Sequence, residues 1–234
     1  MFSFPSDLNI QFEDINFTSR DQVLLNGWFI EGSLQRVILF CHGNFGNMSS
    51  RVDIIRDLSL LGYNVFIFDY RGYGVSSGVP NEKGLYLDVL GAYDYLKDKG
   101  FEDKDIIVFG RSLGGAVAVF LASFTRELRG IIIDSTFISA RALGYDILGY
   151  NLPEFLVSNR FESIKRIKKI NIPKLIIHSE EDDLIPFYHG EKLFEEAHEP
   201  KLFLKIRGPH NNCISESKDI YIAGIKRFLE SLES

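Results

Sequence analysis

Six short apolar runs, separated by stretches of helical spacing, limit the fold of this chain more than any other feature. They are Val37–Cys41, Val65–Asp69, Ile106–Phe109, Ile131–Asp134, Leu175–His178 and Leu202–Ile206. A strand with one wet face alternates apolar and polar residues; a continuous apolar run is covered on both faces. Between the runs lie predicted helices at Met48–Leu61, closed by Gly62, then Gly84–Lys97 and Leu113–Phe124. A mixed helical region spans Ile138–Ile170, and helices follow at Gly190–Ala197 and Glu216–Leu232. Strand–helix alternation of this kind predicts a parallel sheet with helices on both faces. Ahead of it, Gln11–Thr18 and Leu24–Glu31 read as an antiparallel pair joined by a polar turn near Asp21. The expectation is an α/β fold with a mostly parallel eight-stranded sheet.

At 234 residues the chain is most economically one domain, residues 1–234. A net charge of −6 offers no basic field, so nucleic acid is not an expected partner. Lys165, Arg166, Lys168 and Lys169 read as a solvated helix face. Two cysteines, Cys41 and Cys213, make no disulfide framework, and both read as buried thiols. No apolar stretch approaches the ~18 residues of a membrane span. Met1–Ile10 lacks the basic and apolar regions of a signal peptide. The expectation is a cytoplasmic protein without stable membrane insertion.

In parallel sheets, function collects beyond the carboxyl ends of the strands. After Ile106–Phe109 comes Gly110-Arg111-Ser112-Leu113-Gly114-Gly115, a G-x-S-x-G between a strand and a helix. That setting can hold a serine on a strained turn as an exposed nucleophile. Gly110 and Gly114 sit where side chains would crowd the turn, and Gly115 and Ala116 let helix and strand approach. After Leu175–His178 come four acids, Glu180 to Asp183. After the last strand comes Gly208-Pro209-His210. Serine, acid and histidine thus share one rim, in the chain order of a nucleophile-elbow hydrolase.

Five histidines are present, and His210 is the one on a loop able to reach Ser112. His189 and His198 read as surface or packing residues, His178 as a backbone-bonding strand end, and His42 as a loop-shaping residue. Among the acids, Asp182 and Asp183 are the candidates for fixing the histidine tautomer. An oxyanion would need two donors. The Leu113 N–H at the start of a helix supplies one. The loop His42-Gly43-Asn44-Phe45-Gly46 supplies the other, through the Asn44 N–H.

At this point the chain resembles the α/β-hydrolase superfamily, and within it the Bem46-like serine hydrolases. The matching residues are His42-Gly43-Asn44 with Gly46-Asn47, then Phe68-Asp69-Tyr70-Arg71-Gly72-Tyr73-Gly74, and Gly110 to Gly115. Further along are Arg160-Phe161, Ile172-Pro173, Asp182 with Ile185-Pro186, His189-Gly190 and His210-Asn211. The resemblance runs from about Trp28 to Leu232. It implies the α/β-hydrolase fold with a small helical lid, about residues 137–170. Its spacing of acid to proline matches Asp182 with Pro186, which selects Asp182 over Asp183. Members of the group often carry an N-terminal membrane helix or a cysteine cluster, which this sequence lacks. Where they carry an acid after the final histidine pair, it has Asn211-Asn212-Cys213.

The expected activity is hydrolysis of carboxylic esters by Ser112, Asp182 and His210, with Asn44 and Leu113 as the oxyanion hole and no metal or other cofactor. The expected partner is a small acyl ester or thioester. Phe137, Tyr145, Tyr150, Leu152, Phe155 and Leu156 make the lid region apolar. An acyl pocket touched by Phe45, Tyr145 and Phe155 would favour short- to medium-chain esters. A thioesterase or serine peptidase would use the same three residues, and a non-catalytic binding protein could share the fold.

Overall fold

The computed structural model describes residues 4–8, 10–125, 127–150 and 158–233. Eight strands form one sheet: β1 (Glu13–Thr18), β2 (Leu24–Ile30), β3 (Val37–Cys41), β4 (Asn64–Asp69), β5 (Ile106–Arg111), β6 (Gly130–Asp134), β7 (Lys174–Ser179) and β8 (Lys201–Ile206). Their order across the sheet is β1-β2-β4-β3-β5-β6-β7-β8. β2 runs antiparallel to both β1 and β4. Every pairing from β4 to β8 is parallel. The mostly parallel eight-stranded sheet expected from the sequence is therefore present.

Each apolar strand feeds two cores because its side chains alternate between faces. Val37, Leu39 and Cys41 of β3 join one core, and Ile38 and Phe40 join the other. The first core is covered by α2 (Glu82–Asp98), α3 (Leu113–Thr125), α5 (Ser163–Ile167) and α6 (Tyr188–Glu196). The second is covered by α1 (Val52–Ser59) and α8 (Lys218–Ser231).

Two predicted helices start differently from expectation. The first opens as a 3₁₀ turn, Met48–Arg51, before α1. Asn47 Oδ1 accepts from Ser49 N, and Asp69 Oδ1 accepts from Met48 N at 2.8 Å, which pins that turn to the end of β4. The last, expected over Glu216–Leu232, is α8 (Lys218–Ser231), with a separate turn, α7 (Cys213–Glu216), ahead of it and Ser217 at the junction. The Ser217 hydroxyl is tied to both the N–H and the carbonyl of Arg207, pulling the junction onto the loop after β8.

The mixed region contains α4 (Ala140–Leu148), capped by Ser139 and ended by Gly149 at φ +76°, and α5. Leu152, Phe155 and Leu156 lie outside the described residues. Phe137 is buried against Phe161. No helix among the described residues is long and apolar enough to cross a membrane.

Candidate active site

Ser112 stands between the end of β5 and the start of α3 with φ +53°. A non-glycine residue held there stores on the order of 1–3 kcal/mol of strain. The surroundings enforce it. A side chain at Gly110 would collide with Gly114 and Ala118, and one at Gly114 with the carbonyls of Cys41 and His42. Ser112 N donates to Asp134 O at 2.8 Å, and the Thr136 hydroxyl donates to Ser112 O at 2.6 Å.

His210 arrives on the loop after β8. Its Nε2 lies 3.2 Å from Ser112 Oγ and its Nδ1 2.7 Å from Asp182 Oδ2. Asp182 Oδ1 accepts from the N–H groups of Leu184 and Ile185 at 3.0 and 2.7 Å. Burial works to raise the Asp182 pKa. The hydrogen bond and charge of His210, with those two N–H groups, outweigh it and hold the carboxyl below its usual range.

The neighbouring acids work on the histidine loop instead. Asp183 Oδ1 accepts from His210 N at 2.8 Å, and Glu181 accepts from Gly208 N at 2.9 Å. Asp182 and Asp183 are thus divided between the ring and the backbone of one histidine. His178 is buried beneath them, with Nε2 2.8 Å from Ile185 O, and burial lowers its pKa.

Neither Leu113 N nor Asn44 N has a protein acceptor among the described residues. Gly43 packs on the serine: a Cβ there would stand 3.2 Å from Ser112 Cβ. The exposed Asn44 side chain accepts from Tyr73 OH at 2.6 Å. His42 is buried, with Nδ1 2.7 Å from Gly43 O and Nε2 3.2 Å from Asp69 Oδ1, as a loop-shaping histidine should be.

Two arrangements escaped the sequence reading. Arg111, the variable letter of the motif, is buried; its Nη1 lies 2.5 Å from Asp134 Oδ2 and its Nη2 donates to His210 O at 2.5 Å. Tyr221 OH donates to the same Asp134 carboxylate at 2.8 Å. Burial opposes the Arg111 charge, but Asp134 more than compensates and its pKa is raised. Cys213 Sγ, also buried, lies 3.5 Å from the same guanidinium. The signal for the Arg111–Asp134 pair is their opposition across β5 and β6, which needs the strand register.

The second is at α4. His189 Nδ1 accepts from Ile138 N at 3.2 Å, so its other nitrogen carries the proton and donates to Asp146 Oδ2 at 2.7 Å. Tyr188 OH donates to the same oxygen at 2.7 Å. His189 is fully buried, and burial lowers its pKa. It is a packing residue, and what it packs is α4 against α6.

Of the residues expected to touch the acyl chain, Phe45 is 81% and Tyr145 47% exposed, and Phe155 lies outside the described residues. No cluster of three or more His, Cys, Asp or Glu able to hold a metal occurs among the described residues.

A serine at a strained strand-to-helix turn, faced by an acid-bound histidine from the edge of a parallel sheet, defines the α/β-hydrolase class. Comparison with known proteins agrees. A family model described as the alpha/beta hydrolase fold matches residues 36–150. The uncharacterized protein YfhR of Escherichia coli K12 is 35% identical over 224 residues, covering 89% of this chain and 77% of that protein. The alpha/beta hydrolase domain-containing protein WAV2 of Arabidopsis thaliana is 32% identical, covering 82% of this chain and 69% of its own length. Among solved structures, the Pyrococcus furiosus esterase Pf2001 superposes with a TM-score of 0.84 at 25% identity, over 97% of this chain and 93% of that one. The chain belongs to the α/β-hydrolase family and is Bem46-like, being 34% identical to the bem46 protein of Schizosaccharomyces pombe over 78% of this chain.

Proposed function

We propose that this protein is a serine hydrolase that cleaves carboxylic esters through an acyl-enzyme on Ser112. The observation that carries the reading is the continuous hydrogen-bonded chain from Ser112 Oγ through His210 to Asp182. The esterase neighbour Pf2001 supports the reaction class.

Asp182 fixes the His210 proton on Nδ1 and leaves the Nε2 lone pair facing the serine hydroxyl. Nε2 takes the Oγ proton as Oγ attacks the ester carbonyl. The free N–H groups of Leu113 and Asn44 receive the oxyanion, each such donor being worth roughly 2.7–4 kcal/mol in the transition state. The tetrahedral intermediate collapses, the C–O bond to the alcohol breaks, and Nε2–H gives its proton to the leaving oxygen. Water, deprotonated by the same nitrogen, then hydrolyses the acyl-serine to acid and free enzyme. The apolar side chains of the α4 region favour short- to medium-chain acyl groups.

The test is labelling with a fluorophosphonate probe, followed by a chain-length series of p-nitrophenyl esters with a matched thioester panel. The expected result is stoichiometric labelling lost in Ser112→Ala and highest kcat/KM on short- to medium-chain oxygen esters. Activity retained by Ser112→Ala would sink the mechanism; a preference for thioesters would move the assignment to a thioesterase.

A further inference from the structure

On the sheet face away from α4, a cavity of about 360 Å³ adjoins the serine turn. Its walls include Arg111 and Asn211, the chain neighbours of Ser112 and His210. Ile54 of α1 and Ile214 of α7 also line it, and both pack with the core on that face. Leu143 of α4 packs with the opposite core. The serine therefore stands between two different environments.

The charges around this cavity do not cancel. Asp57 is paired with Lys218 at 3.0 Å and with Arg56 at 3.3 Å, and Asp53 lies 3.7 Å from Arg56, so these two acids and two cations balance. Arg111 is matched by Asp134. Arg51 has no carboxylate partner among the described residues; its Nη2 donates to Phe45 O at 2.7 Å and its Nη1 to Ser50 O at 3.3 Å. Its Nε is buried and unpartnered. Burial, and then the positive charge of Arg111, lower its pKa. Asp69 opposes this only at a distance, so in a chain of net charge −6 Arg51 is a half-buried arginine beside a second arginine with no carboxylate in contact, a cation able to take one.

We infer that this cavity takes the alcohol end of the substrate, and that Arg51 selects esters whose alcohol carries a carboxylate. The inference rests on the ester-hydrolase reading above, in which the acyl chain lies toward α4 and the alcohol is left for this side. A single carboxylate matches the single unbalanced charge and the planar guanidinium. A dianionic phosphate would bring one more negative charge than Arg51 balances, against a wall whose Asp53 and Asp57 are already matched by Arg56 and Lys218.

The experiment measures kcat/KM for 4-butyryloxybenzoate and for its methyl ester, an anionic and a neutral leaving group on one acyl chain. Wild type is compared with Arg51→Gln and with Ser215→Asp, which adds a negative charge to the same wall without removing Arg51. The expected result is a fall of roughly tenfold in the anionic-to-neutral ratio for each variant, carried by KM, the size of one lost charged hydrogen bond. Added salt should lower the ratio in wild type and leave it flat in Arg51→Gln. A ratio unchanged in both variants, with the methyl ester hydrolysed and the fluorophosphonate probe incorporated, overturns this inference alone. Loss of labelling and of hydrolysis of both esters in wild type overturns the ester-hydrolase reading and this inference with it.

Discussion

The guanidinium of Arg111 donates to the carbonyl oxygen of His210 across 2.5 Å, so the residue before the serine holds the loop of the histidine. The same side chain meets Asp134, at the end of the adjacent strand, and thereby ties β5, β6 and the loop after β8 together. Removing it leaves a buried carboxylate short of its cation. Arg111→Met should destabilise the fold by about 3–5 kcal/mol, read as a shift in urea unfolding. Arg111→Lys keeps a charge but cannot bridge both partners. Its fluorophosphonate labelling should slow by roughly 10–100-fold, the cost of a histidine displaced by about an ångström.

Backbone strain at Ser112 separates two variants that both lose the hydroxyl. Ser112→Ala and Ser112→Gly should both be inactive. Glycine accepts the φ of +53° without a Cβ clash, so Ser112→Gly should be more stable than Ser112→Ala by about 1 kcal/mol. Equal thermal midpoints would show that the turn stores no strain.

Acid should weaken the native state in two stages. His178 and His189 have lowered pKa values when folded, from burial. Below about pH 6.5 the unfolded chain takes up protons that the folded one refuses, so stability falls as pH drops through that value. Asp182 is also lowered when folded; its contribution is full above about pH 4 and is lost as pH falls through the folded value. Urea midpoints measured across pH should decline less steeply below pH ~4 in Asp182→Asn, and less steeply below pH ~6.5 in His178→Gln. The slope is the readout, and wild-type slopes in both variants would refute the assignment.

Asp146 joins α4 to α6 through Tyr188 and His189. Asp146→Ala should leave the buried His189 Nε2–H unsatisfied, at about 1–3 kcal/mol. Hydrogen exchange should accelerate over residues 140–148 while β5 and β6 keep their protection. Uniform loss of protection across the sheet would count against a local tether.

The sheet was legible because its strands are apolar at consecutive positions, as in Ile106-Ile107-Val108-Phe109, which few other environments allow. Ser112 was legible because its glycine neighbours answer to steric demands that the structure bears out. Arg111 was not, since nothing local distinguishes a motif arginine on the surface from one buried against Asp134. Asp182 was legible from its spacing to Pro186, but nothing in the four-acid run marks Asp183 as the partner of the same histidine's backbone. His189 could not be assigned a task because its partner, Asp146, lies 43 residues away. The starts of α1 and α8 shifted because Asp69, remote in sequence, and Ser217, near the expected start of the last helix, bind backbone groups there.

The edge position of β8 sets a schedule for the molecule. Ser112 and its strained turn depend on β3, β5 and β6, which are complete by Asp134. His210 is 98 residues beyond the serine and is carried in only when β7 and then β8 have been added at the margin of the sheet. During synthesis the amino-terminal part of a chain can begin to fold first. A nascent chain would therefore display its serine long before it has a base to activate it. Reactivity would switch on only when the last strand zips into place.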